Sequence, residues 1–131
     1  MNELLRQISN HLEFFGYSVV YEEGILKTTH GTKPFFWVFS LAGGAFFRTV
    51  FGLGAGARGD RNALLDFLNQ ANEITVVSKY RTFENWMAIE AWYPDSYSKK
   101  SFGTFLDQYL ADINAPAGTL KPLTDKLFRD A

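Results

Sequence analysis

The sequence has no cysteine, and only 2 histidines and 4 prolines among its 131 residues. Without cysteine there are no disulfides, thiol nucleophiles or thiolate-bound metals, although the redox compartment stays open. His11 and His30 are isolated. Neither has a second histidine at helical spacing or an acidic cluster beside it, so no metal site and no cofactor are expected. Surplus charge is missing too. Thirteen basic and 14 acidic side chains leave a net charge of −1, without the basic stripe of a nucleic-acid binder, so no nucleic-acid partner is expected. No apolar run approaches the ~20 residues that span a bilayer, and Met1-Asn2-Glu3-Leu4-Leu5-Arg6 lacks a basic segment followed by an apolar one. The expectation is a cytoplasmic protein without membrane contact.

Aromatic residues, by contrast, are plentiful: 13 Phe, 6 Tyr and 3 Trp must fill a core or coat an interface. A chain of this length fits one domain that buries roughly two-thirds of its unfolded surface. Residues 1–115 read as that domain. Residues 116–131 read as a C-terminal tail in which Leu120, Leu123, Leu127 and Phe128 could form a short amphipathic helix.

Leu4, Leu5, Ile8, Leu12 and Phe15 make one helical stripe, with Asn2 as N-cap and Gly16 as stop signal; His11 lies beside that stripe, toward solvent. A hairpin follows over residues 17–29, turning at Glu23-Gly24. It sets Tyr21 opposite Leu26, Val19 opposite Thr28 and Tyr17 opposite His30, while Val20–Lys27 and Ser18–Thr29 occupy the other face. The next hairpin joins residues 35–41 to 45–51 through Ala42-Gly43-Gly44, and it is apolar on both faces. Phe35, Trp37, Phe39 and Leu41 point one way, Phe36 and Val38 the other; Phe47 and Phe51 oppose Phe46 and Val50. Such a hairpin is either covered twice or keeps an outer face for a partner. After the glycine-rich residues 52–60, Asp60 can cap a helix with a stripe at Leu64, Phe67, Leu68 and Ala71. Strands over 75–83 and 86–93 turn at Glu84-Asn85, and Pro94-Asp95 ends the sheet. A last helix starts near Ser98, carries Phe102, Phe105, Leu106, Tyr109, Leu110 and Ile113, and is broken at Pro116 and Gly118. The order α-β-β-β-β-α-β-β-α specifies an α+β fold: an antiparallel sheet of five to six strands with three helices mainly on one face.

Little of this points to catalysis. Gly54-Ala55-Gly56-Ala57-Arg58-Gly59 matches GxGxxG literally, but hairpins precede it, whereas a dinucleotide fingerprint needs a parallel βαβ unit. Arg58 and Arg61 flank a helix N-terminus, where an anion is favoured; a small-ligand or anion sensor using this loop is the alternative function. Glu22-Glu23, Asp107 and Asp112 read as solvated carboxylates, and no nucleophile elbow is present. The expectation is therefore a non-enzyme with no catalytic residues.

The aromatic residues carry more. In the last hairpin Lys79 pairs with Glu90, Val77 with Trp92 and Phe83 with Trp86. A cross-strand ion pair marks a solvent face, yet three aromatics share it. Trp37, Phe83, Trp86 and Trp92 are the candidate protein-contact residues. The competing reading has the tail fold over them through Leu123, Leu127 and Phe128.

Leu64-Leu65-Asp66-Phe67-Leu68-Asn69 leads into Ile74-Thr75-Val76-Val77-Ser78-Lys79-Tyr80, then Met87-Ala88-Ile89-Glu90-Ala91-Trp92-Tyr93-Pro94 and a Phe-rich helix. This succession resembles the YbjN-like domains, a bacterial family provisionally described as sensory transduction regulators. Their architecture is similar to that of type III secretion chaperones, small α/β proteins that dimerise and hold partner polypeptides. The resemblance implies a chaperone-like binding or regulatory role, a homodimer and a protein partner, and it transfers no catalytic residue.

Overall fold

Tight turns organise the chain. Glu23 and Gly24 (φ 53° and 82°) and Ala42 and Gly43 (φ 51° and 81°) adopt left-handed backbone in pairs, the conformation whose twist matches that of hairpin strands. A third tight turn opens at Glu84, φ 52°. The structure, a computed structural model, describes residues 1–94 and 96–128.

These turns connect six strands: β1 (Ser18–Glu22), β2 (Ile25–Thr29), β3 (Phe36–Leu41), β4 (Gly44–Gly52), β5 (Ser78–Phe83) and β6 (Trp86–Tyr93). They form one antiparallel sheet in the order β1-β2-β3-β4-β6-β5. Side-chain alternation dictated the hairpin registers: Tyr21 faces Leu26, and Lys79 faces Glu90, Phe83 faces Trp86. Gly44 is already in its strand, opposite Leu41, so that turn has two residues rather than three.

The helices are α1 (Glu3–Phe14), α2 (Ala55–Gly59), α3 (Arg61–Ile74), α4 (Lys99–Thr119) and α5 (Lys121–Phe128). Asn2, Asp60 and Ser98 cap α1, α3 and α4 by accepting hydrogen bonds from Leu5, Ala63 and Ser101 N–H. One face of the sheet receives the helices. Leu26, Phe36, Val38, Phe47, Ile89 and Tyr93 are buried there against Ile8, Leu12, Phe67, Phe102 and Tyr109. Rings of Phe36, Phe47, Phe102 and Tyr109 meet at 5.4–5.9 Å between centroids. Tyr109, in the middle of this core, is paired: it donates to the Ile89 carbonyl at 2.9 Å, and its hydroxyl lies 2.8 Å from Thr49 Oγ1. Burial raises the Tyr109 pKa, keeping it a neutral donor.

Several expectations from the sequence are corrected. Among the described residues there are five helices: the three expected, the short helix allowed for in the tail, and α2, which was not expected. The glycine-rich segment holds α2, whose Gly56 lies so close to α5 that a Cβ there would come within 3.1 Å of the Lys126 carbonyl. Pro116 and Gly118 do not break α4. Proline removes the bond to the carbonyl four residues back, and here the Tyr80 hydroxyl supplies a substitute, donating to Asp112 O at 2.7 Å. Asp112 is buried, not solvated: it is 1% exposed. Its carboxylate accepts from Val76, Val77 and Ser78 N–H at 2.9–3.0 Å and from the Gln108 amide at 3.0 Å. Those bonds occupy the N–H groups of Val76 and Val77 just ahead of β5, which begins at Ser78 rather than Thr75. On the free edge of β5, the Asn72 side chain accepts from Tyr80 N–H at 2.7 Å and donates to Tyr80 C=O at 3.0 Å. Asp95 of the expected Pro94-Asp95 stop lies outside the described residues.

Candidate functional site

Among the described residues no helix covers the opposite face of the sheet, and strand alternation decides what it shows. Residues on one row across a sheet are register partners, so the rows can be read directly. One row runs Ile25, Phe39, Phe46, Trp92. The adjacent row runs Val20, Lys27, Trp37, Arg48, Glu90, Lys79. A largely aromatic stripe therefore lies beside a largely cationic one. Phe83 and Trp86 pair at the far end of the β5–β6 hairpin.

Trp37 is 39% exposed, Trp86 45% and Trp92 44%; Phe83 is half-buried. All four candidate contact residues thus share this face, Trp37 on the β3 side and the others on the β5–β6 hairpin. Among the described residues, the tail does not cover them. Leu127 is part of the core on the helical side, and the Phe128 ring packs on Phe67, 5.0 Å between centroids. Val77 lies just before β5, so it is not Trp92's register partner; it packs partly against the core. Sequence reasoning missed Phe39 and Phe46 as members of the surface. The signal was there in the two-sided apolar pattern of the β3–β4 hairpin.

Cations hold the aromatic rings in place. Lys27 Nζ lies 5.1 Å from the Trp37 ring centroid, Arg48 at 5.5 and 5.4 Å from Phe39 and Phe46, and Arg81 at 4.9 Å from Phe83. Each arrangement is a cation–π contact. Glu90 lies at the centre, its side chain only 11% exposed. It does not pair with Lys79, as expected from the register. Arg48 reaches it from β4, Nε donating at 2.7 Å, and Arg81 donates through both Nε and Nη2. Burial alone would raise the Glu90 pKa; hydrogen bonds from Arg81 and Arg48, with their charges, outweigh it and hold the carboxyl below its ordinary value. Two guanidinium groups thus share one carboxylate. The charged residues of this face are Lys27, Arg48, Lys79 and Arg81 against Glu22 and Glu90, which leaves it cationic.

Trp92 is fixed as well: its Nε1 donates to the Leu41 carbonyl at 2.8 Å. The indole lies over Gly44, where a Cβ would come within 2.6 Å of that nitrogen. Beside it, Phe46, Val77, Lys79, Arg81, Glu90 and Trp92 help to line a shallow concavity of about 440 Å³.

The arginine pair lies elsewhere. Arg58 is in the last turn of α2 and Arg61 opens α3. The N-terminus of α3 is already occupied by the Asp60 carboxylate, which also pairs with Lys126 at 3.1 Å. An added anion would meet that carboxylate, so the geometry disfavours an anion site between Arg58 and Arg61. Among the described residues no group of three or more His, Asp or Glu side chains is placed to hold a metal, and no helix is long and apolar enough to cross a membrane.

No protein-family model and no curated protein matches this chain. Among solved structures it is similar to the crystal structure of YbjN from E. coli, provisionally described as a transcription regulator. The TM-score is 0.68 at 13% sequence identity, over 85% of this chain and 86% of that one. What the two share at this identity is architecture, and the chain has the fold of YbjN.

Proposed function

We propose that this chain is a non-catalytic regulatory module that works in the cytoplasm by holding an acidic, apolar polypeptide segment on the open face of its sheet. The observation that carries this reading is the pairing of stripes: exposed aromatics beside cations that only two carboxylates offset. Aromatic anchors desolvated at the centre of an interface supply most of its affinity, and complementary charge selects the partner. The likeness to YbjN supports a regulatory rather than an enzymatic role. The homodimer implied by the family resemblance is a proposal for the same face. Two-fold pairing there would set one cationic face against another, which makes an acidic partner the better occupant.

Tryptophan fluorescence tests this with three probes: a peptide alternating Leu and Glu, its Leu–Lys counterpart, and an oligothymidine strand. The Leu–Glu peptide should bind at least about tenfold more tightly than the other two, and Trp37→Glu should abolish that preference. Preference for oligothymidine would mean a nucleic-acid stacking surface and would overturn the reading. So would a native mass spectrum showing a dimer that Trp37→Glu converts to monomer, since a second copy would then occupy the face.

A further inference from the structure

At the end of the molecule where α1 approaches the start of α4, a second group of side chains is gathered that the sheet face does not use. His11, expected at the surface, is only 7% exposed. Its ring lies among Phe15, Tyr97 and Phe102, with centroids at 4.9, 5.8 and 4.9 Å. Nδ1 is 2.8 Å from the Tyr97 hydroxyl. The other ring nitrogen, Nε2, has no hydrogen-bond partner among the described residues, and it is not sealed from solvent.

Two adjoining cavities meet at this imidazole. The larger, about 290 Å³, is walled by Asn10, His11, Phe14, Phe15, Tyr97 and Lys99, a volume near the lower end for small-molecule sites, roughly 300 Å³. The smaller, about 160 Å³, continues past His11 and Phe15 to Tyr17, Lys33 and Asp107. Phe14 is 77% exposed, more than any other large apolar side chain described. Lys99 Nζ lies 5.8 Å from the centre of its ring.

The chemistry is directional. Burial, with the nearby Lys99 charge, moves the His11 pKa below its ordinary value against the pull of Asp107, so the ring is neutral at pH 7. In the tautomer in which Tyr97 O–H donates to Nδ1, Nε2 carries the proton and offers one hydrogen bond to the cavity. Lys99, at the first position of α4, adds an ammonium and the positive end of the helix dipole. Phe14 and Phe15 present ring surface to a flat apolar body. The far end holds Asp107 beside Lys33, so it offers no net positive charge to a second carboxylate. We propose that this cleft binds a small aromatic monocarboxylate, its ring against Phe14 and Phe15 and its carboxylate between Lys99 and His11 Nε2.

The test uses the full chain with benzoate, benzamide (the same ring without the charge) and acetate (the charge without the ring), read by thermal shift and by the NMR signals of the His11 imidazole. Benzoate should raise Tm and move the His11 signals saturably, while benzamide and acetate should bind at least about tenfold more weakly. Lys99→Met, an exposed position, should cost about tenfold in benzoate affinity and leave the unliganded Tm unchanged. Equal binding of benzoate and benzamide, benzoate binding that survives Lys99→Met, or His11 signals unmoved by millimolar benzoate would each overturn the proposal. None of these residues belongs to the sheet face, so the result is independent of the peptide experiment.

Discussion

The two faces of the β3–β4 hairpin are made from nearly the same residues and kept in order by opposite means. On the covered face, Phe36 and Phe47 are fully buried, and the polar groups among them are hydroxyls in neutral hydrogen bonds, Thr49 to Tyr109 and Thr28 to the Phe36 carbonyl. On the open face, Phe39, Phe46 and Trp37 lie under guanidinium and ammonium groups; Arg48 is anchored on a carboxylate that is nearly out of solvent and Lys27 on Glu22. Hydroxyls enter a core at modest cost once paired, whereas ions need water or close partners. Charge can therefore steady exposed aromatic surface without closing it off. Aromatic content alone does not distinguish core from interface; the kind of polar group set among the rings does.

Truncation tests the contrast most severely. Phe47→Ala should cost about 3–5 kcal/mol in urea unfolding, from lost transfer energy and the cavity left behind. Phe46→Ala, one residue along on the open face, should cost about 1 kcal/mol. Equal losses would mean that the open face is covered in solution by something the chain itself supplies.

Glu90→Gln should cost about 1–2 kcal/mol at neutral pH, because two guanidinium groups lose their shared acceptor charge. The effect depends on pH in one direction. The folded carboxyl titrates below its ordinary value, so its contribution is complete above the unfolded pKa of about 4.3 and is lost as pH falls through the folded one. Unfolding measured between neutral and acid pH should therefore show a larger loss for the natural chain than for Glu90→Gln. Smallest of all, Trp37→Glu should shift stability by no more than about 0.5 kcal/mol while removing peptide binding. A large loss of stability there would make Trp37 part of the core's support rather than a contact.

Much of the fold was legible because strand periodicity admits few solutions. Once Glu23-Gly24 and Glu84-Asn85 are turns, a one-residue slip would send Leu26 or Tyr80 to the wrong face. The open face was legible for the same reason, down to Trp92 and Trp86. What the sequence hid were long-range partners. Asp112 looks solvated on a helical wheel, because nothing local shows that the backbone of residues 76–78 will arrive at its carboxylate. Pro116 looks like a stop, because the donor that replaces its missing bond is a tyrosine more than thirty residues earlier. His11 looks exposed until Tyr97 and Phe102 close over it. Glu90 was matched to Lys79, opposite it on β5. Its partners are instead Arg48, opposite it on β4 in a pairing between strands distant in sequence, and Arg81, diagonal to it on β5.

The Asn72 amide that grips Tyr80 on the outer margin of β5 bears on how this protein can associate at all. A bare sheet margin templates further strands, and chains joined that way can grow without limit into fibrils. Here a side chain imitates the next strand for one residue pair, and the Asp112 carboxylate pins the chain just before it. A newcomer at that margin would have to displace both, leaving their donors and acceptors unmatched. Growth by strand addition is blocked there, and the sheet's other edge, β1, could join at most two copies, so no endless array can form through the sheet margins.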